Sequence, residues 1–444
     1  MGIIACIVAF MGTYAAARKS LGRGFCALMA VGYAYGLFRA HYTDTAGYFL
    51  FDIAVLALYV GSLHQVMTTP DSRSGRQLKH WTLLLVALPI ILFFVPVQDY
   101  MIQLVGLRGN AFLLGFLMLG ASLTELDISE IGLGMSALNI VALLFAVAEV
   151  IFGVDRFIPY NAVTDLIYSS HDVGSMGAYR IPATFVNAHA YGGQMVLSIP
   201  FIVGTWSHHH RKAWHGPLLI AGLLTAILGV FLSAARIHFI ALAAVSIVFS
   251  FSTKLRPSQR VAWISILAIA GYLVSGHERM QRFKTLQDKE AVASRLSSSV
   301  NASFLDALLQ YPMGNGLGGG GTSIPYFLYD RLRAPLIVES EYGRIQLELG
   351  FFGLVLWIAF LAWFFTRPKP AKGDPWFVGK RLAWAVCLIF CLTGLIGTGL
   401  LTAIPSSALM LLMFGWLAAP RPTAIVTLPF RPATAQPLAA FGQN

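Results

Sequence analysis

Apolar runs of bilayer length recur along the whole chain, separated by short polar breaks. A spanning helix needs roughly 20 mainly apolar residues, or about 17 at the short end. Such runs fall at 1–17, 22–40, 46–67, 81–97, 102–123 and 131–154, then at 190–206, 216–234, 236–252, 261–275, 342–366 and 382–419. The last is too long for one helix, and its break GLLTAIPS divides it near 382–400 and 404–419. The expected fold is all-α: a polytopic integral membrane protein with about 12–13 transmembrane helices. The 1–17 run is the weakest span, and 216–252 also reads as a tight re-entrant hairpin, because little more than Arg236 separates its halves.

Composition agrees. Of 444 residues, 57% are hydrophobic and 11% charged, whereas a soluble domain carries about 25% charged residues. A single water-soluble core stops growing near roughly 250–300 residues. Disorder, collagen-like repeats, coiled coil and a small disulfide scaffold are excluded. The net charge of +11 fits the excess of Lys and Arg in cytoplasmic loops, so nucleic acid is not an expected partner. Cys6, Cys26, Cys387 and Cys391 all lie in apolar stretches and read as small buried hydrophobes. No cleavable signal peptide is expected, since the first apolar run lacks a basic n-region and an evident cleavage site before Arg18 and Lys19.

Basic residues orient the spans. Arg18-Lys19, Arg73/Arg76/Lys79, Arg211-Lys212, Lys254/Arg256/Arg260 and Arg367/Lys369/Lys372/Lys380/Arg381 mark cytoplasmic connections. Alternation then places 41–45, 155–189, the Arg236 turn, 276–341 and 401–403 on the other side. Two of these are long, at roughly 35 and 65 residues, and loops beyond about 12–15 residues tend to be functional or disordered. The larger contains the amphipathic stretch RLSSSVNASFLDALLQY from Arg295, expected to lie on the membrane body with Leu296, Phe304, Leu305, Leu308 and Leu309 inward. The tail 420–444 reads as cytoplasmic and disordered.

Ionisable groups at span ends are costly and mark function or pairing. Arg236, in LSAARIHFIAL, reads either as a snorkelling interfacial arginine or as a fixed cation for an anionic headgroup or diphosphate, whose oxygens match its planar fork. Arg180 opens YRIPATFVNAHAYGG, where Asn187, His189 and Tyr191 supply polar groups; a substrate-lining segment and an ordinary structured loop are equal readings. His208, His209 and His210 do not read as a metal site, because consecutive residues do not share a helix face. The large loop offers Arg279, Arg282, Lys284 and Arg295, then PMGNGLGGGG at 312–321. Those glycines either cradle phosphates or serve as a hinge, and without a following Lys-Ser/Thr they are no nucleotide P-loop. In VESEYGRIQLELGFFG, residues 338–353, Glu339, Glu341, Tyr342 and Arg344 open an apolar span. Glu341 and Arg344 are spaced to neutralise each other, and Glu348 fits a structural pairing. Glu339 has no local partner, and reads as a helix-start anion or as a functional carboxylate.

At these residues the chain resembles the O-antigen ligase/polymerase superfamily of bacterial polytopic membrane glycosyltransferases. Ligases of that family carry His, then Asn, Ser or Gln, nine residues and Gly-x-x-Gly at the end of a long periplasmic loop. Here Ser340, nine residues, Gly350 and Gly353 fit the spacing, with Glu339 where the family has His. SAAR before the 236–252 run, the RLSSSVNASFLDA stretch and PMGNGLGGGG are similar in order, and the likeness covers roughly 175–360. The resemblance divides the chain into N-terminal transmembrane helices (1–174), a ligase/polymerase-like core (175–360, with the loop 276–341), C-terminal transmembrane helices (361–419) and the tail.

The resemblance implies a glycosyltransferase C-like helical fold needing neither metal nor cofactor. It implies a bacterial inner-membrane location with the site facing the periplasm, an undecaprenyl-diphosphate-linked oligosaccharide donor, and a glycan or lipid-linked acceptor. Arg236 and Arg295, with Arg180 as a further cation, would hold the diphosphate, and Glu339 would deprotonate the acceptor hydroxyl. His189, Glu341, Arg282 and Tyr342 would be accessory. The exchange of His for Glu339 leaves a glycan polymerase at least as apt as a lipid A-core ligase. Nearby arginines weaken a carboxylate base and burial strengthens it; the alternative reading has Glu339 orient the acceptor, with Glu341 or His189 as base. A transporter would need charges near the midplane and inverted repeats, and the sequence shows no repeat.

Overall fold

A computed structural model describes residues 1–68, 72–169, 179–208, 213–250, 257–275, 306–321, 324–333, 336, 338, 340–368, 370–371 and 373–419. Among these residues every regular element is a helix. The first half holds α1 (Gly2–Ala17), α2 (Leu21–His41), α3 (Thr45–Tyr48), α4 (Leu50–Thr68), α5 (Arg73–Phe93), α6 (Tyr100–Ala111), α7 (Gly115–Ala121), α8 (Glu125–Phe152) and α9 (Asp165–Ser169). The second holds α10 (Ala188–His208), α11 (His215–Leu232), α12 (Arg236–Ser250), α13 (Pro257–Ser275), α14 (Asp306–Gln310), α15 (Glu341–Phe365), α16 (Phe377–Thr393) and α17 (Ser406–Ala418).

Among the described residues seven spans are long and apolar enough to cross a bilayer: α2, α4, α5, α6 continued through α7, α8, α11 and α15. Shorter apolar helices include α1, α12 and α17. Large apolar side chains stand exposed on the outside of these helices, among them Ile4 and Val8 on α1, Leu83 and Ile91 on α5, Leu144 and Ile151 on α8, and Phe352 and Ile358 on α15. Water does not tolerate such a belt, whereas lipid does. The described residues form an all-helical bundle consistent with a membrane protein.

α10 is the hub. It packs against α8, α11, α12, α16 and α17, and its residues from Ala190 to Trp206 are buried throughout. With no hydrophobic drive between helices in lipid, small residues and hydrogen bonds hold the bundle. Gly132 of α8 meets Phe201 and Thr205 of α10, and Gly222 of α11 meets Ser136. A polar relay crosses the core: Tyr33 Oη donates to Asn139 Oδ1 at 2.6 Å, and Asn139 Nδ2 donates to Ser198 Oγ at 2.9 Å.

Helix ends differ from the apolar runs because caps set them, and hydropathy does not. Arg73, Arg76 and Lys79, expected in a loop, occupy the first two turns of α5, which Ser72 caps by accepting from the Gly75 amide at 3.0 Å. α8 starts at Glu125, ahead of the expected 131, on a capping box between Thr124 and Asp127. Lys380 and Arg381 belong to α16, where Lys380 Nζ bonds Asp374 at 2.5 Å. The 102–123 run is interrupted by a 3-10 turn at Phe112–Leu114. The expected break in 382–419 is present between α16 and α17. Of the amphipathic stretch only its end is described, as α14, and there Leu309 is 79% exposed rather than packed inward. The tail 420–444 lies outside the described residues.

Connections sort into two groups by contact. One joins Ser20 and Arg23 to Glu130, Gln65 to Asp127, and His208 to Glu125. The other joins Gly2 to Asp44, Thr43 to Tyr326, Ala40 to Asn161, Leu37 to Thr184, and Gln98 to Asn315 and Arg333. The second group contains the segments expected on the non-cytoplasmic side.

Candidate functional site

The segment leading into α10 is held in shape from three sides. The Glu149 carboxylate accepts from the Ala183 amide at 2.9 Å, the Thr184 carbonyl accepts from Leu37 at 3.1 Å, and Asn187 Oδ1 caps α10 through the Ala190 amide at 2.8 Å. This framework sets Arg180 beside His189, with Nη1 3.1 Å from Nε2. A guanidinium has no acceptor, so Nε2 receives the hydrogen bond and a neutral His189 carries its proton on Nδ1.

α12 enters the same place from the other direction. Ala234, at φ 50°, reverses the chain after α11, and α12 starts at Arg236. Two residues further on, the His238 ring lies against Gly192 and Gly193 of α10. A Cβ on Gly192 would stand 2.9 Å from Nδ1, and one on Gly193 3.1 Å from Nε2, so the glycine pair is the seat of this imidazole. Phe390 of α16 stacks on it at 6.0 Å and the His189 ring meets it edge-on at 5.9 Å. His238 Nδ1 and Arg236 Nε are both enclosed, and neither has a hydrogen-bond partner among the described residues. Enclosed donors without partners are costly, and an anion with several acceptor oxygens would satisfy them.

On the other flank of α16 lies a buried charge cluster. Ser340 caps α15 by accepting from the Gly343 amide at 3.0 Å. Arg344, fully buried, donates through Nε and Nη2 to Glu341 Oε1 at 2.9 and 2.8 Å, and through Nη1 to Glu348 Oε2 at 2.9 Å and Asn110 Oδ1 at 3.2 Å. The other Glu341 oxygen accepts from the Gly399 amide at 2.7 Å. Glu341 is therefore committed on both oxygens. Tyr342 Oη donates to the Cys391 carbonyl at 2.9 Å, one residue beyond Phe390.

The glycine-rich loop packs its backbone into the bundle. At Gly350, φ 69° and ψ −175°, α15 is broken. The Leu347 carbonyl accepts instead from Asn315, the Phe351 amide donates to the Pro312 carbonyl at 2.9 Å, and Gln346 Nε2 donates to Tyr311 at 3.0 Å. Gly106 of α6 faces the loop so closely that a Cβ there would lie 2.1 Å from the Gly318 amide nitrogen. A free hinge does not describe 312–321; the loop mends the ladder of α15.

The structure thus brings Arg180 to His189 and His189 to His238, two residues after Arg236 on α12, and joins Glu341 and Tyr342 to Gly394 and Cys391 at the end of α16. Arg282, Arg295 and Glu339 lie outside the described residues. His238 was not singled out in the sequence; the available signal was its place two residues after Arg236, together with a glycine pair in an apolar helix. Among the described residues no three His, Cys, Asp or Glu side chains converge to hold a metal. No family model matches the chain, and no curated protein matches it.

Proposed function

We propose that the protein is a glycosyltransferase of polysaccharide assembly: a polymerase moving glycan from an undecaprenyl-diphosphate-linked donor to a sugar hydroxyl on the periplasmic side of a bacterial inner membrane. The fold in this reading is glycosyltransferase C-like, with about 12–13 spans once the shorter helices are counted. The observation that carries it is Arg236, at the head of α12 with Nε enclosed and without a partner among the described residues, on the same helix end as His238, whose ring meets His189 while His189 meets Arg180. A leaving diphosphate develops charge that fixed donors in a water-poor site stabilise, and the positive end of α12 adds to them. Arg295 joins them in this reading, and Glu339 takes the acceptor proton. Glu341 is ill placed as the alternative base because Arg344 and Gly399 occupy its carboxylate. His189, exposed beside Arg180, is the accessory group of this reading.

Purified protein incubated with undecaprenyl-diphosphate-linked repeat units and no other acceptor should give a ladder of product lengths. Donor binding without a ladder would move the assignment to a ligase, which differs only in its acceptor. Failure to bind the donor would overturn both. Arg236→Lys keeps the charge and loses the fork, so turnover should fall on the order of tenfold to a hundredfold. Glu339→Gln should abolish transfer while donor binding persists.

One feature favours a transporter as the second reading: α15 is interrupted at Gly350 next to buried ionisable groups. Uptake of the lipid-linked glycan into the lumen of sealed proteoliposomes, without chain extension, would establish it.

A further inference from the structure

Among the described residues only two that are not glycine adopt a left-handed backbone, Ala183 and Ala234, both at φ 50°. Each lies within three residues of an arginine of the candidate site, Ala183 after Arg180 and Ala234 before Arg236. For alanine this region is strained, and such strain persists only where the surroundings over-determine it. We propose that Glu149 over-determines it at Ala183 and is thereby a positioning residue for Arg180 and His189. The contact stands on geometry alone, and its consequence for turnover rests on the reading of Arg180 as a cation for the donor.

Arg180 and His189 are nine residues apart, a separation that extended chain would stretch to roughly 30 Å. Their side chains nevertheless meet at 3.1 Å. Between them the chain reverses in a turn where the Phe185 amide donates to the Pro182 carbonyl at 3.1 Å, with Ala183 and Thr184 at its centre. Pro182 has no amide hydrogen to give. Ala183 therefore carries the first free amide of the turn, and it donates to Glu149 Oε2 at 2.9 Å. α2 adds a second hold: the Leu37 amide donates to the Thr184 carbonyl at 3.1 Å, and Gly36 abuts Phe185 and Val186 so closely that a Cβ would not fit. Relaxing Ala183 to a negative φ would turn its amide from Glu149 or carry Thr184 from Leu37.

The place of Glu149 in α8 points the same way. It is 1% exposed and sits in the last turn of a long apolar helix. Burial opposes an acid there, and so does the negative end of the helix dipole. Its presence is explained by what its oxygens hold, not by the stability of α8. The strained turn and the buried acid are two halves of one clamp, which folds Arg180 back onto His189.

The test removes the acceptor and then the strain. Glu149→Leu takes the acceptor away at nearly constant volume, Glu149→Gln keeps an acceptor oxygen at the same reach, and Ala183→Gly lets the turn form without help from α8. Full-length protein labelled at its histidine nitrogens is observed in lipid bilayers by solid-state NMR at about pH 8.5, above the ordinary imidazole range. The His189 signals are those missing from His189→Gln. In wild type Nε2 should appear as a hydrogen-bonded acceptor and Nδ1 as protonated. Glu149→Leu should move both to their positions in Arg180→Ala, whereas Glu149→Gln, and Glu149→Leu combined with Ala183→Gly, should return them to wild type. Unmoved signals in Glu149→Leu, or a shift that neither repair reverses, would overturn the proposal. If Glu149→Leu alone does not fold, the combined variant decides: wild-type signals support the clamp and Arg180→Ala-like signals overturn it. With lipid-linked donor, Glu149→Leu should raise KM about tenfold at little-changed kcat, and Ala183→Gly should restore it. Displaced His189 signals with unchanged KM would keep the clamp and remove Arg180 from the donor site. A protein that forms no product in any variant would overturn the proposed function, with the NMR signals still deciding the clamp.

Discussion

Arg344 is fully buried, with two carboxylates on it and Asn110 beside them. Removing one partner of a buried pair leaves an uncompensated charge, at a cost of about 3–5 kcal/mol. Arg344→Met should therefore lower the melting temperature sharply in detergent, and an unchanged melt would show that the cluster contributes no stability. Arg236 makes the opposite case. No protein group among the described residues depends on its Nε, so Arg236→Lys should melt like wild type while transfer fails. The contrast separates an arginine that holds the fold from one held ready for a ligand. From sequence the pairing of Glu341 with Arg344 was legible, because it lies within one helical turn. Asn110 and the Gly399 amide were not, since each comes from an element distant in the chain. His238 stayed hidden for a related reason: its significance lies in Gly192 and Gly193, on a different helix, leaving room for its ring.

Among the elements, α15 is where sequence pattern and structure differ most in meaning. The spacing from Ser340 to Gly350 and Gly353 was read as a motif for chemistry. Physically, Ser340 is a cap and Gly350 a break, with the loop 312–321 supplying the hydrogen bonds that the break removes. The backbone at Gly350 lies in a region open almost only to glycine, and a Cβ there would meet the Met313 carbonyl oxygen at 2.7 Å. Gly350→Ala should cost roughly 1–3 kcal/mol and detach the loop from α15, exposing 312–321 to limited proteolysis. Protection equal to wild type would show that the loop is held elsewhere. Apolar runs foretold the helices but not their ends, because Ser72 and Thr124 cap beyond the apolar stretch. Nor did they foretell that α10, with Pro200 and several polar residues, would be enclosed along almost its whole length.

On the scale of the whole molecule, the two groups of connections bear on sidedness. The 180–189 segment with Arg180 and His189, joined through Leu37 and Thr184, and the glycine-rich loop, joined through Gln98 and Asn315, belong to the group containing Thr43 and Asn161, apart from the one containing Ser20, Gln65 and His208, and His238 meets His189 there. A transferase that joins lipid-linked glycans needs donor, acceptor and base on one side of the bilayer, and a basic excess near Arg18 and Lys19 assigns the opposite side to the cytoplasm. Single cysteines test this directly. Cys26, Cys387 and Cys391 are enclosed or partly so within helices, and Cys6 can be changed to Ala to lower the background. Introduced at Thr43 or Asp330, a thiol should react in intact spheroplasts with a membrane-impermeant maleimide. At Lys19 or Trp214 it should react only after permeabilisation. The reverse pattern would place the arginines on the cytoplasmic side, where a periplasmic polymerase or ligase cannot work, and would overturn the proposed function while leaving the bundle unchanged.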